Sequence, residues 1–252
     1  MTSASGTGDV RGTGLAGQTV VVIGASAGIG FETARRVRSE GGQVFLVGRN
    51  PERLRQAALE LDPAGTAAFD ATDGDRMKRF FAELPGPVDH VMVTAGSPAY
   101  MPLADMDLAS ALRAFDERLA VTLGVALHGR AKVRAGGTLL FLGSTGGRRP
   151  GLGMSIMSSL TATLPALTAN LALELAPIRV NLIAPGFVDT PLSASLLGDR
   201  LEARRDELRD TLPIGRVVTP ADVAALALHL MSNDAITGAT YDIDGGQQLV
   251  SR

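Results

Sequence analysis

The residues best placed to do chemistry stand together near the start of the chain, in Gly24-Ala25-Ser26-Ala27-Gly28-Ile29-Gly30. A β-branched run, Thr19 to Gly24, leads into them, and a helical pattern follows. Glycines at this spacing let the backbone turn sharply and approach a diphosphate, whose charge is met by unpaired N–H groups at a helix N-terminus. Gly24, Ser26, Ala27, Gly28, Ile29 and Gly30 are therefore candidate phosphate-binding residues. A second strand, Gln43 to Gly48, arrives where a dinucleotide-binding unit needs it, so the glycine cluster has the context that separates a ligand turn from an ordinary one.

Other chemistries are narrowed by what the sequence lacks. With no cysteine, disulfides, thiolate metal sites and a cysteine nucleophile are excluded. His90, His128 and His229 are far apart, form no local metal pair, and no metal site is assigned. A net charge of −2 gives no broad attraction to nucleic acid or anionic lipid. The balance of 45% hydrophobic and 20% charged residues is that of an ordinary globular chain.

The elements that must position the turn are legible as an alternation. Candidate strands are Thr19 to Gly24, Gln43 to Gly48, Thr66 to Asp70, His90 to Ala95, Thr138 to Ser144, Ile178 to Ala184 and Thr240 to Asp244. Most are continuously apolar, as expected of parallel strands covered on both faces. Between them lie helical patterns: Ile29, Phe31, Ala34 and Val37 form one apolar stripe that Gly41-Gly42 ends, and Thr219-Pro220 opens another as N-cap and first helical residue. The fold class is α/β: a doubly wound, Rossmann-like, mostly parallel seven-stranded sheet with helices on both faces. Residues 1–14 read as a disordered polar tail and 15–252 as one dinucleotide-binding domain. No apolar run is expected to reach membrane-spanning length. The charged stretch Leu197 to Asp210 reads as a solvated helix face or as a lid beside the ligand cleft.

At this point the chain resembles the short-chain dehydrogenase/reductase family, from Leu15 to Gly246. Its TGxxxGIG fingerprint appears with Ile23 in place of threonine. Asp70, with Ala71 beside it, matches the adenine-contacting aspartate, and Val93-Thr94-Ala95-Gly96 stands where NNAG is usual. Ser144 matches the catalytic serine. Pro185-Gly186-Phe187-Val188-Asp189-Thr190 matches the segment that contacts nicotinamide and pyrophosphate, and Asp244-Gly245-Gly246 matches the end of the last strand. The resemblance implies that Arg49, Asp70, Ala71, Ala95, Gly96, Pro185, Gly186, Val188 and Thr190 join the glycine turn as cofactor residues. NAD-specific relatives carry an acid at the Gly48 position. Gly48 removes its repulsion and Arg49 offers a planar charged fork to a 2′-phosphate, so NADP(H) is expected over NAD(H).

The catalytic centre departs from the family's Asn–Ser–Tyr–Lys set. Counted from the intact Leu171-to-Asn181 landmark, the tyrosine slot falls on Met157 and the lysine slot on Thr161, while the asparagine slot falls on Arg118. Only Ser144 remains. Tyr100 stands where it could reach the cleft mouth, although a packing role competes. Arg148 could bind an anion or a developing alkoxide, with a solvated loop cation as the alternative. Arg148, Pro150, Leu152, Met154 and the Leu192-to-Leu208 segment suggest a partly apolar, cationic site.

These readings imply an NADP(H)-dependent oxidoreductase with a rewired centre, acting on a small carbonyl, imine or activated alkene. A non-catalytic NADP(H)-binding sensor and a non-redox lyase or isomerase remain as alternatives. The expected partner is a small-molecule substrate, with no nucleic acid and no membrane, in the cytoplasm. The apolar helix from Met154 to Leu175 sits where the family builds a four-helix interface, which implies a homotetramer or homodimer.

Overall fold

The computed structural model describes residues 14–250, so the expected tail lies, except for Gly14, outside the described residues. Seven strands form one parallel sheet: β1 (Thr19–Ile23), β2 (Gln43–Gly48), β3 (Gly65–Ala68), β4 (Val88–Val93), β5 (Val133–Leu142), β6 (Arg179–Pro185) and β7 (Thr240–Ile243). The helices are α1 (Gly28–Ser39), α2 (Pro51–Leu61), α3 (Gly74–Glu83), α4 (Leu108–Gly129), α5 (Ser155–Glu174), α6 (Pro191–Leu197), α7 (Leu201–Thr211) and α8 (Pro220–Ser232).

Alternation along the strands builds two cores. Val20 and Val22 of β1 pack with Val37 of α1, Leu54 of α2 and Ala227 of α8. Val21 and Ile23 turn to the opposite face and join Phe80 of α3, Val125 of α4 and Leu164 of α5. Because both faces are covered, the central strands are apolar without a break. Each fully buried valine contributes about 1.5–3 kcal/mol relative to exposure.

The strand order is β3-β2-β1-β4-β5-β6-β7. Successive connections run one way to β3 and the other way from β4, so the loops leaving β1 and β4 part and open a crevice at the strands' carboxyl ends. Thr94 N–H donates to Ile23 O at 2.8 Å, which fixes the two strand ends side by side.

Local chemistry places the helices as expected. Asn50 caps α2, and Thr219 with Asp222 forms a capping box ahead of Pro220 in α8. Gly41, at φ +82°, turns the chain out of α1 in a conformation that suits glycine. Two expectations need correction. β5 begins at Val133 rather than Thr138, because Gly136, at φ +78°, bends the strand at an irregularity in its pairing with β4 and Gly137 lets it pass closely beside Asp89. α5, at 20 residues with mean hydropathy 1.3, is long and apolar enough to cross a membrane by composition. In this fold it lies on the sheet, with Leu160, Leu164 and Leu171 buried.

Candidate functional site

The crevice holds two adjoining cavities of about 590 and 720 Å³ that share Gly24, Thr94, Gly96, Tyr100 and Arg118. Ser26, Arg49, Asp70, Ala71 and Ala95 line the first lobe. Ala27, Gly28, Ile29, Gly30, Pro185, Gly186, Val188 and Thr190 line the second. Every candidate cofactor residue thus faces one lobe or the other. Ser144 and Met157 stand in the second with them.

The glycines do different work. Gly24 and Gly28 have φ of +100° and +58°, which form the turn, whereas Gly30 allows α1 to close onto β1. Ala27, the N-cap of α1, supplies no side-chain hydrogen bond, and the first turn carries no acid. By contrast, Asn50, Asp73 and Asp107 cap α2, α3 and α4. The first N–H groups of α1 are therefore left for an acceptor arriving through the cavity, which is how this turn fits a dinucleotide pyrophosphate. Thr94 supports it: its hydroxyl donates to Gly24 O at 3.1 Å. In sequence this position shows only as a departure from NNAG.

In the first lobe, Arg49 Nη1 lies 4.0 Å from Asp70 Oδ2, with both side chains largely exposed. Such a pair is worth little and is easily redirected to a phosphate. The Thr72 backbone N–H, and then its hydroxyl, hold the Asp70 carboxyl below its ordinary range against the opposing effect of partial burial. A Cβ at Gly48 would meet Ser26 at 3.4 Å, so an acid there would stand directly over the turn. Arg53, on the first turn of α2, also lines this lobe. Its spacing from Arg49 was a usable signal that sequence reading passed over.

Of the four positions expected to hold the Asn–Ser–Tyr–Lys set, Ser144 presents its hydroxyl at the second lobe. Ser144 Oγ accepts from Gly146 N–H at 3.0 Å and still faces the cavity. Met157 is a buried wall residue. Thr161 is not brought to the cavity: its hydroxyl donates to Met157 O at 2.9 Å, and Gly147 packs directly on it. Tyr100 is 55% exposed and lies on the shared rim of both lobes. Tyr241 is partly buried against the core.

Arg148 is a correction. The short 3₁₀ turn Gly146–Arg148 aims it at the edge of β7, where Nη2 donates to Asp242 Oδ1 at 2.7 Å. It lines neither cavity, nor do Arg149, Pro150 and Leu152, although Met154 does. The site's cationic character comes from Arg200 and Arg204, within the expected Leu192-to-Leu208 segment, and from Arg118. Arg118 lies against Gly96, where a Cβ would meet its Nη1 at 2.8 Å. Burial pushes its pKa down, and among the described residues no acid counters that effect.

The charged stretch proves to be both solvated helix and cavity wall. Glu202 and Asp206 of α7 face solvent, while Arg205 donates to Asp189 at 2.7 Å and Arg204 stands 6.0 Å over the Phe187 ring. Gln247 accepts the Phe187 N–H at 2.8 Å and lines the lobe, a position that no local sequence pattern marks.

Comparison with known proteins agrees with this geometry. The family model described as enoyl-(acyl carrier protein) reductase matches residues 24–248. The short-chain dehydrogenase/reductase MalC of Malbranchea aurantiaca is 28% identical over 253 residues, covering 93% of this chain and 96% of its own. Its structure, described as a reductase/Diels-Alderase, superimposes with a TM-score of 0.87. Human dehydrogenase/reductase SDR family member 4 is 30% identical, over 92% of this chain and 88% of its own. A small-chain dehydrogenase crystallised with NADPH is 29% identical with a TM-score of 0.80, covering 92% of this chain and 99% of its own. The chain belongs to the short-chain dehydrogenase/reductase family of oxidoreductases.

Proposed function

We propose that this protein is an NADP(H)-dependent oxidoreductase whose catalytic centre works without the family's tyrosine and lysine. The observation that carries the reading is one crevice that runs from Arg49 and Asp70, past the uncapped end of α1, to Ser144 and Met157. The preference for the phosphorylated cofactor rests on Gly48 and Arg49, a neutral strand end followed by an exposed guanidinium. When bound, the nicotinamide supplies or accepts hydride. Gly24 to Gly30 hold the diphosphate, and Pro185, Gly186, Val188 and Thr190 wall the reacting end. Ser144 positions the substrate's oxygen or nitrogen.

Loss of a built-in acid costs about 10²- to 10⁴-fold. That is small beside an enzymatic acceleration of roughly 10⁶-fold or more, so positioning leaves useful activity with water as the proton source. A small carbonyl, imine or activated alkene fits this chemistry, and an imine fits well because its nitrogen can carry the proton before reduction. Met157 and the withdrawn Thr161 favour a second reading, a nucleotide sensor with no turnover. Steady-state NADPH consumption with ketones, imines and enones tests the two. Cofactor binding without consumption across all three classes overturns the oxidoreductase reading. Product formed without consumption would favour lyase or isomerase chemistry instead.

The same reading includes self-association. On the expected helix from Met154 to Leu175, Leu173 is exposed, and Leu112, Leu123 and Leu127 of α4 add exposed apolar side chains of the kind that a homodimer or homotetramer covers. Light scattering during gel filtration checks it, and a monomer at all concentrations overturns it.

A further inference from the structure

The nicotinamide end of the crevice carries more positive charge than the cofactor can use. On the reading above, the diphosphate is met at the uncapped start of α1 and the 2′-phosphate at Arg49. Arg118 remains. Among the described residues its guanidinium has no acid to counter its burial. It stands against Gly96 at the junction of the two lobes. Arg200 and Arg204 line the second lobe from the α6–α7 side, Arg204 with Glu207 as its partner at 2.7 Å, and among the described residues no aspartate or glutamate lines that lobe. The rest of its wall is largely apolar, including Met154, Met157 and Leu196.

A guanidinium partly withdrawn from water without a counter-charge carries a desolvation cost, and that cost is relieved when an anion arrives. Its planar fork matches a carboxylate through two parallel hydrogen bonds. We propose that the second lobe takes a substrate bearing a carboxylate, held by Arg118, with its hydrocarbon part against Met154, Met157 and Leu196 and its reducible group toward Ser144. This deepens the oxidoreductase reading and rests on it for the reducible group alone. Arg118 stands in the slot of the family's asparagine, so the substitution that removes one catalytic residue installs a substrate anchor.

The test uses saturated acids, which cannot accept hydride: straight-chain alkanoates and arylalkanoates of increasing length, each beside its primary amide. They are titrated calorimetrically into the NADPH-loaded protein. At least one acid is expected to bind tighter than its amide by about tenfold or more. Arg118→Gln should abolish the difference, Arg118→Lys should retain part of it, and the NADPH dissociation constant should stay within about twofold in both. The cofactor-free Arg118→Gln protein should melt no lower than wild type, because an unpaired charge has been removed. Arg118→Lys serves if the glutamine variant fails to fold.

No acid binding more tightly than its amide, whether all bind alike or none binds, overturns the proposal. So does an acid preference that survives Arg118→Gln. Weakened NADPH binding in Arg118→Gln with no acid preference in wild type would assign Arg118 to the cofactor. Failure of wild type to bind NADPH strikes at the oxidoreductase reading instead, and the acid–amide comparison on the cofactor-free protein still decides the proposal.

Discussion

Gly30 faces the carbonyl oxygen of Gly24 so closely that a Cβ on residue 30 would stand 2.3 Å from that oxygen. The neighbour is backbone, so it cannot swing aside. This contact fixes α1 on the end of β1, and α1 carries the free N–H groups of the turn. Gly28 differs: a Cβ there meets Thr190 at an ordinary 3.5 Å, and the residue lines the cavity.

The two glycines should therefore fail differently. Gly30→Ala should lower stability by about 1–3 kcal/mol or more, with or without cofactor. Gly28→Val strains one left-handed residue, so the protein should still fold, but the thermal stabilisation by NADPH should vanish. Melting curves of both variants with and without NADPH check this pair. A Gly28→Val protein that keeps the wild-type shift would show that the turn is not the diphosphate site.

Arg49 should decide between the two nicotinamide cofactors. Its partner Asp70 is 4.0 Å away and exposed, so redirecting the guanidinium to a 2′-phosphate costs little. Calorimetry should find NADPH bound more tightly than NADH. Arg49→Ala should cost NADPH about 1.5–3 kcal/mol, the worth of hydrogen bonds to a charged group. NADH binding should barely change. Equal affinities in wild type would contradict the assignment.

Restoring the family's tyrosine and lysine should not restore its chemistry. Gly147 packs on the Thr161 hydroxyl, and a lysine at residue 161 would have to displace the turn that follows Ser144. Overpacking alone costs about 1–3 kcal/mol, and an unpaired ammonium adds to it. Met157→Tyr borders open cavity and should stay folded. Denaturant unfolding and ketone-reduction assays of Met157→Tyr, Thr161→Lys and the double variant check this. A stable double variant that reduces ketones would show that the lysine slot is open.

His90 should give the fold an acid-sensitive term. Its Nε2–H donates to Gln18 Oε1 at 2.6 Å, while Nδ1 is buried without a partner among the described residues. Burial, helped by the charge of Arg179, pushes its pKa from 6.5 down to about 3. The unfolded chain therefore binds the proton first as pH falls. The stability held by neutral His90 is complete above 6.5 and is lost toward about 3, by at most about 1.4 kcal/mol per pH unit. Urea unfolding across that window should show a shallower pH dependence in His90→Asn than in wild type. Identical slopes would remove His90 from the account.

What could be read from the sequence was local. The turn from Gly24 to Gly30, the Thr219 cap and the alternating strands each have their causes within a few residues. Arg148 was misplaced because its partner, Asp242, is remote in the chain and becomes a neighbour only when β7 closes the sheet. Arg200 and Arg204 lie in the segment that the sequence assigns to a cationic site or to a solvated helix, and only the fold, in which Arg205 of the same helix meets Asp189, shows which of its charges face the crevice. The early start of β5 was hidden by Gly136 and Gly137, which a strand pattern does not anticipate. Arg118 could be found as a departure from a family position. That it faces the cavity without a counter-charge is legible only in three dimensions.

Hydride transfer is the central claim of the functional reading. NADPH carrying deuterium at the transferable C4 position should be incubated with the protein and representative ketones, imines and enones, with products read by mass spectrometry. The account predicts deuterium on the reduced carbon of at least one product, at a rate that Ser144→Ala lowers by about 10- to 10³-fold, as loss of a hydrogen bond at the reacting atom does. NADPH bound by the protein with no deuterium in any product would contradict it.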